Sequence, residues 1–111
     1  MVEHLLVYGT LVPGASNYSK IKNIPGEWNT ATCRGKILIK DWGTWKGCPG
    51  IILSEDEDLI KGYVLSSNEL KFHWERLDAF EGKDYSRVRT NATLSNGKVI
   101  KVYIYELKIP K

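Results

Sequence analysis

Two runs of alternating side chains near the end of the chain flank the pair Asn96-Gly97. A period of two residues is that of a strand with one face buried and the other in solvent. Asn-Gly between two such runs is typical of a two-residue type I′ turn. The sequence therefore predicts an antiparallel hairpin, which commits this part of the chain to β structure. The alternating positions are Val88, Thr90, Ala92 and Leu94 before the turn and Val99, Lys101, Tyr103, Tyr105 and Leu107 after it.

Four further segments have the short apolar pattern of strands, at residues 4–8, 31–40, 51–53 and 60–65. Residues 41–50 contain three glycines, one proline and two tryptophans, which predicts a structured loop. The strands follow one another without regular intervening helices. This order favours an α+β fold over a doubly wound parallel sheet.

One segment has the pattern of an amphipathic helix. Ser66 and Glu69 have the spacing of a capping box, and Leu70, Trp74 and Leu77 then fall on one helical face. Lys71, Glu75 and Asp78 fall away from that face. We expect the helix to end near Phe80, because Gly82 suits the left-handed residue that closes a helix. This ending places Glu81 at the junction of helix and loop.

A weaker helical pattern lies earlier in the chain. Ser16 or Asn17 is suited to cap a short helix that carries Tyr18 and Ile21 on one face and stops before Pro25. The fold is thus expected to have one or two helices beside its strands.

The size of the chain limits its organisation. With 111 residues, 42% of them hydrophobic and 26% charged, the chain has enough apolar material for one modest core and not for two. We predict a single domain over residues 1–111. No run approaches the eighteen or so apolar residues of a membrane span, and no signal-peptide pattern is present, so the expected location is cytoplasmic, away from a membrane.

The net charge of +3 raises the alternative of a nucleic-acid module, because Lys and Arg alternate with Trp and Tyr in places and the sequence pI is about 8.8. Nucleic-acid binders usually concentrate basic residues on one face or in one run. Here the basic residues are scattered, and we expect no nucleic-acid partner. Failure to bind a polyanion column at low salt would exclude this alternative.

The potential metal ligands are few. Cys33 and Cys48 are too few and too far apart for a zinc site or a disulfide scaffold, and we interpret them as free thiols. The acidic run at residues 55–58 lacks the ligand spacing and the glycine of a calcium loop, so we expect a solvated turn. Neither a metal nor another cofactor is predicted.

Two segments combine glycine with polar side chains: Tyr8-Gly9-Thr10-Leu11 near the start, and the run from Leu77-Asp78 through Glu81-Gly82 to Tyr85 and Arg87. The first resembles the Tyr-Gly-Ser/Thr-Leu loop of the γ-glutamylcyclotransferase-like superfamily. The second resembles its Leu-Asp-x-x-Glu-Gly segment followed by Tyr-x-Arg. Ile60-Lys61-Gly62-Tyr63 is similar to a strand of the same superfamily, which includes the γ-glutamylamine cyclotransferases and AIG2-like proteins. The resemblance covers nearly the whole chain in order.

This resemblance implies a small, mixed, barrel-like sheet flanked by one or two helices, and a cofactor-independent enzyme. The reaction would be attack of the substrate's α-amino group on its own γ-carbonyl, with release of 5-oxoproline and an amine. Orientation of the substrate provides much of the acceleration in such an intramolecular transfer. Glu81 corresponds to the family's catalytic glutamate and would act as general acid and base. Its alternative, on the residues alone, is an exposed glutamate at a helix end.

The resemblance also implies a substrate-binding set of Tyr8, Gly9, Thr10, Leu11 and Tyr85. Backbone N–H groups of the 8–11 segment would bind the substrate's carboxylate or the oxyanion, with glycine allowing close approach. The competing interpretation is a tight turn that ends a core strand. For Tyr85 and Arg87, packing and a surface ion pair remain equally open.

The sequence departs from the family pattern in the middle loop, where Lys46-Gly47-Cys48-Pro49 stands in place of Gly-x-Tyr-Pro. The partner is expected to be a small γ-glutamyl compound, but the leaving amine is not predictable from this loop. A non-catalytic small-molecule-binding protein on the same fold remains the alternative. The oligomeric state is left open.

Overall fold

The computed structural model describes residues 1–9, 11–39 and 49–108. Most of this part of the chain is β-strand, as the alternating sequence pattern predicts. The strands are β1 (Glu3–Val7), β2 (Glu27–Ile39), β3 (Pro49–Leu53), β4 (Leu59–Ser67), β5 (Tyr85–Leu94) and β6 (Val99–Leu107). The helical elements are α1 (Trp74–Glu81) and short 3₁₀ turns at Tyr18–Lys20 and Leu70–Phe72.

The strands form one sheet that closes on itself. β1 pairs antiparallel with β4 and parallel with β6, β4 pairs with β2, β2 reaches β5, and β5 returns to β6. β3 is inserted between β2 and β6 at one end of this ring. The α+β class and the mixed, barrel-like sheet beside a helix are therefore confirmed.

Apolar side chains pack on both faces of the barrel wall. The interior cluster contains Leu6, Ala31, Cys33, Ile51, Val64, Ala92, Val102 and Ile104. The second cluster packs α1 and the Leu70–Phe72 turn against the outer face of β1 and β6, and it contains Leu5, Val7, Leu70, Trp74, Leu77, Tyr105 and Leu107. Leu70, Trp74 and Leu77 are buried together as the helical pattern predicts. Burial of this face holds α1 on the barrel, because each large apolar side chain contributes about 1.5–3 kcal/mol.

The predicted capping box is wrong. Ser66 is still in β4, and its hydroxyl lies 2.7 Å from Nδ1 of His4 across the strand pair. The next residue, Ser67, accepts a hydrogen bond from the backbone N–H of Glu69 and forms a local turn. A 3₁₀ turn follows, and α1 begins only at Trp74. The serine hydroxyls stabilise the strand end and the turn, which competes with capping.

The predicted type I′ turn is also wrong, although the hairpin is present. The backbone N–H groups of Leu94 and Gly97 donate to the carbonyls of Lys98 and Leu94 respectively. Gly97 has a φ of 88°, and no non-glycine residue in the described ranges has a positive φ. These features are those of a three-residue loop with glycine at the bulge position. Asn96 instead accepts a hydrogen bond from the N–H of Lys98 through its side chain.

Two other predicted elements differ from the structure in length. The early helix is only the 3₁₀ turn Tyr18–Lys20, and Ile21 is buried just after it. β2 begins four residues before the predicted start, at Glu27. Residues 55–58 are exposed, as expected for a solvated turn, and Cys33 is a buried free thiol. Cys48 and most of the 41–50 loop lie outside the described residues.

No helix in the described ranges has the length and apolar character needed to cross a membrane.

Candidate active site

Glu81 is the last residue of α1, and the helix ends there because of the glycine that follows. Gly82 has φ 84° and ψ −174°, a conformation open essentially to glycine alone. Its N–H donates to the carbonyl of Asp78 at 3.0 Å and closes the last turn. The chain can therefore leave the helix directly after Glu81, with the glutamate side chain on the wall of a cleft.

The Glu81 carboxyl has an unusual environment. Its side chain is largely enclosed, and burial raises its pKa from 4.5 to about 7. Within the described residues, no side chain or backbone group makes a hydrogen bond or ion pair with this carboxyl. Burial without such a partner disfavours the charged form. The group is consequently able to gain and lose a proton near neutral pH.

The cleft beside Glu81 brings together most of the predicted site residues. Tyr8, Gly9, Leu11 and Tyr85 line it with Glu81. Thr10 lies outside the described residues. The cleft volume is about 40 Å³, space for roughly three water molecules. The remaining lining residues are Leu6, Val7, Pro49, Phe80 and Tyr105.

The hydroxyl of Tyr8 is engaged with the backbone. It donates to the carbonyl of Tyr105 at 2.7 Å and accepts from the N–H of Ile51 at 3.1 Å. Burial, with a smaller contribution from the Glu81 charge nearby, raises the pKa of Tyr8. The phenol therefore stays protonated and holds three strands together, while the ring forms part of the cleft wall.

Gly9 follows β1 at the cleft. Its φ lies outside the left-handed region, so the backbone conformation does not require glycine. A Cβ atom at this position would lie 3.5 Å from Cγ of Pro49, an ordinary contact. Both residues line the cleft, so an added methyl group would occupy part of its space. The absence of a side chain therefore leaves the cleft open between Gly9 and Pro49.

Tyr85 and Arg87 have different positions. Tyr85 is buried, lines the cleft and donates its hydroxyl hydrogen to the carbonyl of Pro49 at 3.3 Å. Arg87 is not in the cleft wall. Its Nε lies 3.4 Å from the carboxylate of Asp78, and its guanidinium stacks 4.3 Å from the ring centre of Trp74. Arg87 therefore attaches α1 to β5.

One residue near Glu81, Tyr105, was not found from the sequence. The Tyr105 hydroxyl donates to the Asp78 carboxylate at 2.6 Å, and the ring lines the cleft. Burial raises the pKa of Tyr105, and the hydrogen bond to Asp78 raises it further. Asp78 belongs to the Leu77-Asp78 motif and to the polar side of the predicted helix, but neither pattern predicts its hydrogen bond with Tyr105. Nothing in the local pattern distinguishes Tyr105 from the neighbouring tyrosine of its strand, Tyr103.

The arrangement is suited to proton transfer on a small polar ligand. It has one carboxyl that titrates near neutrality, aromatic and apolar walls, and a strand end whose backbone is open at a glycine. No group of three or more His, Cys, Asp or Glu residues gathers as a potential metal site in the part of the chain that the structure describes.

Comparison with known families gives one match in sequence. The profile of the family described as "Gamma-glutamyl cyclotransferase, AIG2-like" matches residues 5–111. No curated protein matches the chain.

Solved structures share the fold at low identity. YkqA from Bacillus subtilis is 22% identical with a TM-score of 0.75, and the match covers 100% of this chain and 38% of YkqA. An AIG2-like protein from Mus musculus is 20% identical with a TM-score of 0.65, over 95% of this chain and 76% of the mouse chain. A structure named gamma-glutamyl cyclotransferase is 20% identical with a TM-score of 0.66, over 97% and 68% of the two chains. The chain thus spans well under half the length of YkqA.

Proposed function

Because the chain belongs to the gamma-glutamyl cyclotransferase, AIG2-like family, we propose that it cyclises a γ-glutamyl group to 5-oxoproline and releases the attached amine. The observation that carries this proposal is the Glu81 carboxyl. It lines the cleft that Tyr8 and Gly9 also line, and its pKa of about 7 suits a group that must both take and give a proton. A solvent-facing glutamate at a helix end would keep a pKa near 4.5.

The reaction uses the substrate's own nucleophile. The Glu81 carboxylate takes a proton from the α-ammonium group, and the freed amine attacks the γ-carbonyl carbon to form the ring C–N bond. The tetrahedral intermediate then expels the former amide nitrogen, which receives the proton from Glu81 as the old C–N bond breaks. The ring nitrogen still carries two hydrogens after it has attacked, so the regenerated Glu81 carboxylate takes one of them and passes it to the released amine. The products are then 5-oxoproline and the amine in its ammonium form, and Glu81 ends as a carboxylate. One carboxyl can therefore make all of these transfers in turn.

The remaining cleft residues have the task of binding and orientation. We assign the backbone of the 8–11 segment to the substrate carboxylate or the developing oxyanion, where N–H donors are most effective. Gly9 lets the ligand approach the backbone closely. The rings of Tyr8 and Tyr85 enclose the glutamyl chain, because both hydroxyls already have backbone partners. Enclosure in a curled conformation favours ring closure.

The test is release of 5-oxoproline from a panel of γ-glutamyl amines and γ-glutamyl amino acids. Wild type is compared with Glu81→Gln and with Glu75→Gln, an exposed glutamate of the same helix. We expect Glu81→Gln to lose on the order of a hundredfold or more in turnover and Glu75→Gln to retain it. Equal turnover in all three proteins would refute the role of Glu81. A wild type that binds panel compounds without turnover would instead support a non-catalytic binding protein.

A further inference from the structure

Three hydrogen-bonded tyrosine and aspartate side chains connect the elements that form the cleft. The Asp78 carboxylate on α1 accepts from the Tyr105 hydroxyl at 2.6 Å. The carbonyl of the same Tyr105 accepts from the Tyr8 hydroxyl at 2.7 Å. Tyr8 in turn accepts from Ile51 in β3. Tyr105 thus contacts both the helix turn that carries Glu81 and the end of the strand that leads into the 8–11 segment.

Asp78 connects Tyr105 to Glu81 through one helical turn. Residues three apart on a helix are neighbours, so the two side chains belong to the same side of α1. The carbonyl of Asp78 also accepts from the N–H of Gly82 directly after Glu81. Movement of Asp78 would therefore shift the last turn and the glutamate with it. Arg87 approaches the same Asp78 oxygen at 3.4 Å, a longer contact than that of the Tyr105 hydroxyl.

We propose that Tyr105 is a positioning residue that fixes the separation between the Glu81 carboxylate and the Tyr8-Gly9 strand end. It does so with its two polar groups, the hydroxyl toward α1 and the carbonyl toward Tyr8. This inference rests on the proposed function, since the separation matters for the reaction only if Glu81 exchanges protons with a ligand bound at the 8–11 segment. A misplacement of about 1 Å in such a site can cost on the order of a hundredfold in rate.

Among the described residues, few ionisable groups line the cleft with Glu81, so its titration can report its position. The titratable side chains that line the cleft with it are Tyr8 from the end of β1, Tyr85 from β5 and Tyr105 from β6. Next to the cleft, Asp78 of α1 and Arg87 of β5 lie against each other at 3.4 Å, and Lys83 and Lys108 lie on the same side of Tyr105 as this pair. Loss of the Tyr105 hydroxyl removes no charge. A changed Glu81 titration would therefore follow from altered hydration of the carboxyl.

The kinetic experiment compares Tyr105→Phe with Tyr103→Phe on the best substrate of the panel. Tyr103 is two residues earlier in β6 and packs on Trp74, and it does not line the cleft, so its variant controls for the loss of a phenol. We expect Tyr105→Phe to lower kcat about ten- to a hundredfold with a smaller change in KM, and Tyr103→Phe to keep both. Equal kinetics of the two variants would overturn the proposal.

A second measurement separates positioning from catalysis. The Glu81 carboxyl is titrated by NMR in folded wild type and variants, without substrate. We expect the Glu81 titration midpoint to fall from near 7 toward 4.5 in Tyr105→Phe. In Tyr103→Phe the midpoint should stay near 7. If wild type proves inactive on the panel, the proposed function fails while this titration still decides the positioning role. An unchanged midpoint in Tyr105→Phe would overturn it.

Asp78 offers a variant pair should Tyr105→Phe fold poorly. Asp78→Asn removes the charge toward Arg87 but keeps an oxygen that can accept from Tyr105, whereas Asp78→Ala removes both. We expect Asp78→Asn to retain most of kcat and the high Glu81 midpoint, and Asp78→Ala to lose them. If the two variants behave alike in both measurements, the hydrogen bond from Tyr105 does not position Glu81.

Discussion

The phenolic oxygen of Tyr8 accepts a 3.1 Å hydrogen bond from the backbone N–H of Ile51. The bond lies where β3 and β6 separate, since these strands share only the residue pair Ile51 and Glu106. Two residues further along β3, the backbone N–H of Leu53 donates to the carboxylate of the same Glu106 at 2.9 Å. Side chains thus satisfy the backbone donors that a continuous ladder would have paired. The Tyr8 hydroxyl thus bridges β3 and β6 beside their single paired position.

Tyr8→Phe should destabilise the protein. The change leaves the N–H of Ile51 and the carbonyl of Tyr105 without their side-chain partner in the interior, which costs about 1–3 kcal/mol. Urea denaturation would measure this loss. Tyr63→Phe is the control, because Tyr63 is 38% exposed in β4. Equal free energies of unfolding for the two variants would show that the Tyr8 hydroxyl is not structural.

Glu81→Gln should stabilise the protein at high pH. The folded-state pKa of about 7 lies above the ordinary 4.5, so wild-type stability falls as the pH rises through this window and levels off above it. A neutral glutamine avoids this cost, which is on the order of 3 kcal/mol at pH 8. The two proteins should converge below pH 4.5. Denaturation across pH would measure the difference, and parallel curves would contradict the raised pKa.

The activity of the wild type should rise with pH through about 7. Glu81 must be ionised to take the proton from the substrate ammonium, so kcat/KM follows its ionisation in the free enzyme. The profile is measured with a substrate whose own groups do not titrate near 7. Any residual kcat/KM of Glu81→Gln should not show this rise with pH. A rise of the wild-type kcat/KM centred near pH 4.5 would indicate that the Glu81 carboxyl is hydrated.

Arg87→Lys should weaken the attachment of α1. Arg87 stacks on Trp74 at 4.3 Å and approaches Asp78 at 3.4 Å, and a lysine cannot reproduce the planar stack. We expect a loss of about 1 kcal/mol in urea denaturation, since the pair is partly exposed. Arg89→Lys is the matched control, because Arg89 is exposed and lies 5.6 Å from Tyr103. Equal stability of both variants would mean that the stack contributes nothing.

The sequence predicted the elements whose signals are local. The β5–β6 hairpin follows from alternation, and the buried face of Leu70, Trp74 and Leu77 follows from helical spacing. The start of α1 was missed because Ser66 had a competing partner, His4, which lies 62 residues away. Its spacing to Glu69 met the capping rule, yet cross-strand pairing decided where the strand ended. The turn type was missed because a three-residue loop lets Asn96 keep a negative φ.

The candidate site likewise contains residues that the sequence predicts and one, Tyr105, that only the structure reveals. Glu81, Gly9 and Tyr85 belong to motifs that can be recognised in sequence, and the structure places them around one cleft. Tyr105 belongs to no motif, and its contacts with Tyr8 and Asp78 span 97 and 27 residues. Such contacts depend on how β1, α1 and β6 meet in three dimensions. A strand pattern alone cannot distinguish Tyr105 from Tyr103.

Gly9→Ala should separate ligand binding from folding. Its added Cβ would meet Pro49 at 3.5 Å, and its φ is accessible to alanine, so stability should change by less than about 0.5 kcal/mol. The methyl group would nevertheless occupy the cleft and should lower kcat/KM by about tenfold or more, because it displaces the ligand. Gly62→Ala is the contrasting variant, because its Cβ would lie 2.7 Å from the carbonyl oxygen of Val7 and must destabilise the β1–β4 pair. Denaturation and 5-oxoproline release are measured on both. Unchanged kinetics in a stable Gly9→Ala would mean that the ligand does not approach this strand end.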